Sequence, residues 1–183
     1  MFNESTLETA IIENLKNQNY EYVRGDDIHK ELSDVLIRDD FRNFMMLNYD
    51  LTDFEVNSLL RRFDNYTNAD LYSSNKEIMN LIMEGLIIKR EDKTKQDLYI
   101  NFIDYENPEK NIIKVINQLE IQGTEKRIPD AIIYINGLPL VVFEFKSAVK
   151  ENTTIKDAFE QITIRYTRDI PELFKYNAFC VIS

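Results

Sequence analysis

The chain has 183 residues, 44% of them hydrophobic, with 32 acidic against 22 basic side chains and a net charge of −10. That length supports one packed domain, and a lone Cys180 and a lone His29 exclude a disulfide framework and a cysteine- or histidine-built zinc site, leaving both to ordinary packing or solvent. No apolar run is long enough to cross a bilayer, and "MFNESTLETAIIENLK" lacks the basic-then-apolar order of a secretory signal, so a cytoplasmic protein with no membrane contact is expected.

Taken in chain order, Leu7, Ile11, Ile12 and Leu15 recur at helical spacing and predict an amphipathic helix over 4–17, with "NYEYV" as a short strand after it. From Asp26 to about Glu91 the segments "FRNFMMLNY", "TDFEVNSLLRRF" and "NKEIMNLIMEGLI" predict three or four helices, the last ending near Gly85. Phe41, Phe44, Leu47, Leu59, Phe63 and Ile78 belong to the packing core expected there. Four strand-like runs follow, "DLYINFID", "NIIKVINQLEI", "RIPDAIIYI" and "PLVVFEFK", with turn material at 107–109 and 123–125. A helix is predicted from about Thr154 to Arg168, with Asp157 placed as in a capping box and Ile155, Ala158, Phe159, Ile162 and Tyr166 as its core stripe. Pro171 closes that stretch and "AFCVI" forms a final strand.

This order predicts a single α/β domain over 1–183: a core of 1–25 and 95–183, interrupted by a helical insert at about 26–91. The run "NAFCVIS" stops without a turn, as a strand cut from a longer protein would. Charge is uneven. Residues 121–183 hold 8 acids and 8 bases, so the whole acidic excess lies before them. Acidic surface repels phosphates, so any handling of nucleic acid falls to the second part, with attraction supplied by other members of an assembly.

The stretch "IPDAIIYINGLPLVVFEFK" reads as two apolar strands joined by an Asn-Gly turn, yet it carries Asp130, Glu144 and Lys146. Side chains alternate along a strand, so Glu144 and Lys146 share a face while Phe145 points away. Such charges are costly among Val141, Val142, Phe143 and Phe145 unless they have partners. A plain two-residue turn at Asn136-Gly137 would set Asp130 opposite Phe143, on the wrong face to meet Glu144. One odd residue, in a three-residue loop through Leu138 or a bulge beside Pro129, would set Asp130 opposite Glu144. Two converging carboxylates suit Mg²⁺, which polarises a phosphate oxygen and activates water, while Lys146 positions that water or neutralises developing charge. The alternative is a structural ion pair of Lys146 with Glu144 or Asp130 at a sheet edge.

Pro129-Asp130, then Glu144-x-Lys146, resembles the PD-(D/E)xK nuclease signature. The words "NFIDYENPEKNIIKVINQLEIQG", "IPDAIIYINGLPLVVFEFK" and "AFEQITIRYTRDIPELFKYNAFCVIS" resemble the N-terminal nuclease region of type I restriction enzyme R subunits, and the similarity runs through essentially the whole chain. The resemblance implies a restriction-endonuclease-like mixed sheet flanked by helices, and cleavage of double-stranded DNA with Mg²⁺, which Mn²⁺ can replace. It implies modification and specificity subunits as partners and ATP bound only in separate translocase domains, in keeping with the lack of a P-loop GxxxxGK[ST] here. It carries Asp130 and Glu144 over as metal ligands, the Phe145 carbonyl as a further ligand and Lys146 as the catalytic lysine.

Glu8 lies within the apolar stripe of the first helix and matches a glutamate that many such nucleases aim at the metal or its water; Ser5-x-x-Glu8 is equally a capping box. Gln161, Arg165 and Arg168 form one polar strip on the later helix. Related nucleases often carry QxxxY there, but Tyr166 stands five residues after Gln161, which marks Gln161 as an active-site or phosphate contact and Tyr166 as core. Lys126 and Arg127 are candidates to touch the DNA backbone or are simply a solvated turn. A stand-alone repair or junction nuclease of the same fold, or a docking module without cleavage, are the competing readings.

Overall fold

The computed structural model describes residues 4–146 and 155–183. Helix α1 (Glu4–Asn17) leads into strand β1 (Glu21–Arg24). Three helices follow, α2 (Arg38–Tyr49), α3 (Asp53–Asp64) and α4 (Leu71–Glu84), the last stopped by Gly85 at a φ of 65°. Helix α3 starts at a reciprocal cap: the Thr52 hydroxyl accepts from the Glu55 N–H, and the Glu55 carboxylate accepts from the Thr52 N–H. Strands β2 (Leu86–Ile88) and β3 (Leu98–Ile100) pair with each other in a separate antiparallel ribbon. "DLYINFID" therefore does not join the main sheet; its partner is only a short loop away, and closing that loop costs little entropy.

Strand β4 (Ile113–Asn117) precedes a small hairpin of β5 (Ile121–Gln122) and β6 (Lys126–Arg127), and then β7 (Ala131–Ile135) and β8 (Leu138–Glu144). "RIPDAIIYI" is thus broken at Ile128-Pro129-Asp130, where proline cannot donate to a ladder. Helix α5 (Ile155–Glu160) continues as a π-helical turn (Gln161–Tyr166) and α6 (Thr167–Asp169). The expected cap at Thr154 lies outside the described residues. Pro171 opens a further short helix, α7 (Pro171–Phe174), where its missing N–H costs nothing, and β9 (Phe179–Ile182) follows.

The main sheet is mixed, in the order β1-β4-β7-β8-β9, parallel at its two edge pairs and antiparallel between. The helical segment shares the sheet's core: Phe63 meets Phe41, Phe102 and Tyr176 with ring centroids 5.2–5.8 Å apart. Leu47, expected inside, is exposed, as are Ile155 and Phe159 of the later helix. There Ala158, Ile162 and Tyr166 form the buried ridge, and Ile155 and Phe159 lie beside it in solvent. Cys180 is half-buried opposite Val142, and burial pushes its thiol up to about 11, while His29 is exposed. No helix among the described residues is long and apolar enough to cross a membrane.

The β7–β8 hairpin keeps a two-residue turn. Asn136 and Gly137 have φ of 51° and 80°, as in a tight primed turn, and the amide side chain of Asn136 is fully bonded inside the protein. It donates to the Phe102 carbonyl and to Asn111, and accepts from the Ile112 N–H, at 2.8–2.9 Å. Neither the three-residue loop nor the bulge beside Pro129 is present. The odd residue is Leu140: Ile133 pairs with Val141 but Tyr134 pairs with Pro139, which has no N–H to give to the ladder, and such a residue is found beside bulges. Beyond the bulge Ala131 faces Phe143, so one residue further on Asp130 falls opposite Glu144.

Candidate active site

At that open end of the hairpin the charges acquire partners. Glu144 is 1% exposed, and each carboxylate oxygen is engaged: Oε1 by Lys146 Nζ at 2.5 Å and Oε2 by the Tyr166 hydroxyl at 2.8 Å. Asp130 reaches across so that its Oδ2 accepts from the Phe145 N–H at 2.6 Å, between Glu144 and Lys146 in the chain. Tyr166 in turn accepts from Gln161 Nε2 at 2.8 Å. Burial, chiefly, and the Glu144 charge hold the Tyr166 phenol well above its ordinary range, so it stays a donor to the carboxylate. A buried carboxylate without such donors would be strongly destabilising.

Tyr166 is therefore more than core. In a regular helix residues five apart diverge, whereas the π turn brings Gln161 and Tyr166 into contact and absorbs the extra residue of the QxxxY-like pattern. The sequence carried that signal as the odd spacing itself.

Arg165 and Arg168 line a cavity of about 350 Å³ together with Gln161, Tyr166, Lys126 and Arg127. All four candidate basic residues thus converge on one cavity, and Tyr166 in its wall connects it to the Glu144 carboxylate. Behind them lies a residue that the sequence reading missed: Asp169, 1% exposed, takes Arg127 Nε at 2.7 Å and Arg168 Nε at 2.6 Å. The bond from Arg168, then that from Arg127, holds its carboxyl down at about 2. Lys126 pairs with Glu120 at 3.0 Å.

Glu8 sits elsewhere at the same end of the sheet. Helix α1 already includes Glu4, so Ser5 lies within the helix and the capping-box reading weakens. The Glu8 carboxylate accepts from Asn117 Nδ2 at 2.7 Å, and Tyr22 donates to the same Asn117 at 3.1 Å. Asn117 pairs with Ala131, so strand alternation puts it on the sheet face away from Asp130 and Glu144.

No group of three or more acidic, histidine or cysteine side chains fit to hold a metal occurs among the described residues. Two carboxylates with a neighbouring backbone carbonyl still match Mg²⁺, which commonly takes one or two carboxylates and fills its remaining positions with water and substrate phosphate.

A mixed sheet flanked by helices, with two acids and a lysine gathered at one sheet end beside a basic cavity, defines an α/β protein whose charged end is built for polar chemistry. The chain belongs to the family described as type I restriction enzyme R protein N terminus, which it matches over residues 1–183. It is 32% identical to the type I restriction enzyme HindI endonuclease subunit of Haemophilus influenzae over 195 aligned residues, covering 100% of this chain and 18% of that protein. It is 30% identical to the type I restriction enzyme SsaAORF53P endonuclease subunit of Staphylococcus saprophyticus, covering 98% of this chain and 18% of that protein. The chain thus spans 18% of the length of these relatives.

Proposed function

We propose that this chain is the DNA-cleaving module of a type I restriction enzyme, with a restriction-endonuclease-like fold, hydrolysing phosphodiester bonds of double-stranded DNA with Mg²⁺. The observation that carries the reading is the bulge-shifted register that sets Asp130 opposite Glu144, with Lys146 on the same carboxylate. Asp130, Glu144 and the Phe145 carbonyl would hold the ion, which when bound supplies Lewis-acid polarisation of the phosphate and a more acidic water. Glu144, gripped by Tyr166, keeps a fixed orientation, and Gln161 fixes Tyr166 in turn. Lys146 holds its ammonium beside the reacting phosphate and offsets the charge that builds there. Glu8, on helix α1 and bonded to Asn117 on the other face of the sheet, takes no part in this arrangement. Arg165, Arg168, Lys126 and Arg127 would meet the DNA backbone.

In this reading the module works in the cytoplasm with modification and specificity subunits, and ATP is used only by translocase domains. The Lys146–Glu144 contact also fits a structural ion pair in a docking module that does not cleave. Crystals soaked with Mn²⁺ and a short duplex separate the two. Anomalous density between Asp130 and Glu144, lost in Asp130→Ala, is the expected result; no density in either protein would leave the structural pair.

A further inference from the structure

The basic cavity has an internal organiser. Asp169 closes the helix that carries Gln161, Arg165 and Tyr166, yet its carboxylate is used by arginines from two elements, Arg127 of β6 and Arg168 of α6. Its backbone carbonyl also accepts from the Thr124 N–H at 2.8 Å, which docks the β5–β6 hairpin onto the helix end. The approach is so close that a Cβ on Gly123 would stand 2.0 Å from that carbonyl, so only glycine fits there. One buried acid thus holds a hairpin, a helix end and two guanidinium groups in register.

We propose that Asp169 is the positioning residue of a second phosphate subsite, in which Arg127, Arg168 and Arg165 grip a backbone phosphate of the duplex next to the one presented to Asp130 and Glu144. The proposal rests on the nuclease reading above and names how that site takes hold of its substrate. The chemistry follows from donor counting. A guanidinium has five N–H donors, and Arg127 and Arg168 each spend Nε and one Nη on Asp169, which leaves donors for a further oxyanion. Arg168 remains exposed and Arg127 partly so, at 64% and 32% of their side chains, whereas Asp169 is sealed beneath them at 2%. An acid placed there lowers the net charge of the cavity, but it fixes two flexible cations whose ordering the substrate would otherwise have to supply. The cavity shares Tyr166 with the Glu144 carboxylate, so a phosphate held in it lies on the strand that enters the active site.

The test is duplex binding by the full 183-residue chain without divalent metal, followed by fluorescence anisotropy across a salt series, with thermal melting of each variant. Charge alone predicts that Asp169→Asn, which removes a negative group, binds DNA more tightly. Positioning predicts the reverse: several-fold weaker binding and a salt dependence reduced by about one phosphate contact, a slope change of about 0.9. Asp169→Asn that folds and binds as well as or better than wild type overturns the subsite, as does a wild-type chain that shows no salt-dependent binding. Should Asp169→Asn fail to fold, the exposed Arg168→Gln decides instead, with a slope loss of about 0.9 expected and an unchanged slope overturning the proposal. Because cleavage plays no part in this titration, an error in the nuclease reading appears separately, as undiminished cleavage by Asp130→Asn.

Discussion

The two ends of the β7–β8 hairpin are built from the same kinds of strand and solve opposite problems. At the turn end Asn136 and Gly137 are buried, every amide contact is local or neutral, and Ile37 donates its N–H to the Gly137 carbonyl at 3.0 Å. At the open end Asp130, Glu144 and Lys146 bring charge to a hairpin whose other strand positions are apolar apart from the Tyr134 hydroxyl. The turn end is optimised for stability, and the open end concentrates like charges that stability alone would not choose. Between them the Leu140 bulge shifts the register so that a rigid turn can face one way and the acids the other.

Breaking each end should therefore give opposite signatures. The largest effect is expected from Asp130→Asn: cleavage by the assembled enzyme falls by about 100-fold or more, while the unfolding midpoint stays level or rises, because one of two facing carboxylates loses its charge. A parallel fall in stability would erase the distinction between the ends. Gly137→Ala should do the reverse. A Cβ there meets the Ile37 carbonyl at 2.3 Å in a backbone with φ of 80°, so urea unfolding should show a loss of more than about 2 kcal/mol, with cleavage per folded molecule unchanged.

Tyr166→Phe falls between these extremes. It removes the hydroxyl that joins Gln161 to Glu144, and a loss of about 1 kcal/mol in stability with a roughly ten-fold drop in cleavage is expected from denaturation and kinetic assays. The smallest effect is in pH. The Asp169 carboxyl titrates at about 2 in the folded chain, below its ordinary 3.8, so its stabilisation is present above pH 3.8 and is lost as the pH falls through about 2. The stability gap between wild type and Asp169→Asn, followed by acid titration, should close across that interval, while the amide-built turn end shows no such dependence.

The legibility of the molecule in its sequence follows the range of the interactions. Helices α1 to α4, β1, β4 and β9 were readable because each is announced by local periodicity, caps or turn residues. The strand β3 was readable as a strand but not as a member of the small ribbon, since pairing choice is not written in one strand. Asp130, Glu144 and Lys146 were visible as charges out of place, and the need for one odd residue followed from strand alternation. That the odd residue would be Leu140, beside Pro139, depended on Asn136 being locked by Asn111, Ile112 and Phe102, groups 24 to 34 residues away in the chain.

Sequence by itself determined the α/β character, the family resemblance and which acids stand against hydrocarbon. It did so because hydrophobic period, turn chemistry and misplaced charge are properties of neighbouring residues. Only the tertiary structure decided that a π turn recovers the contact between Gln161 and Tyr166, that Tyr166 grips Glu144, and that Asp169 gathers Arg127 and Arg168. Those depend on how a helix is wound and on which distant side chain finds the remaining lone pair of a buried carboxylate, and both are settled only when the elements pack.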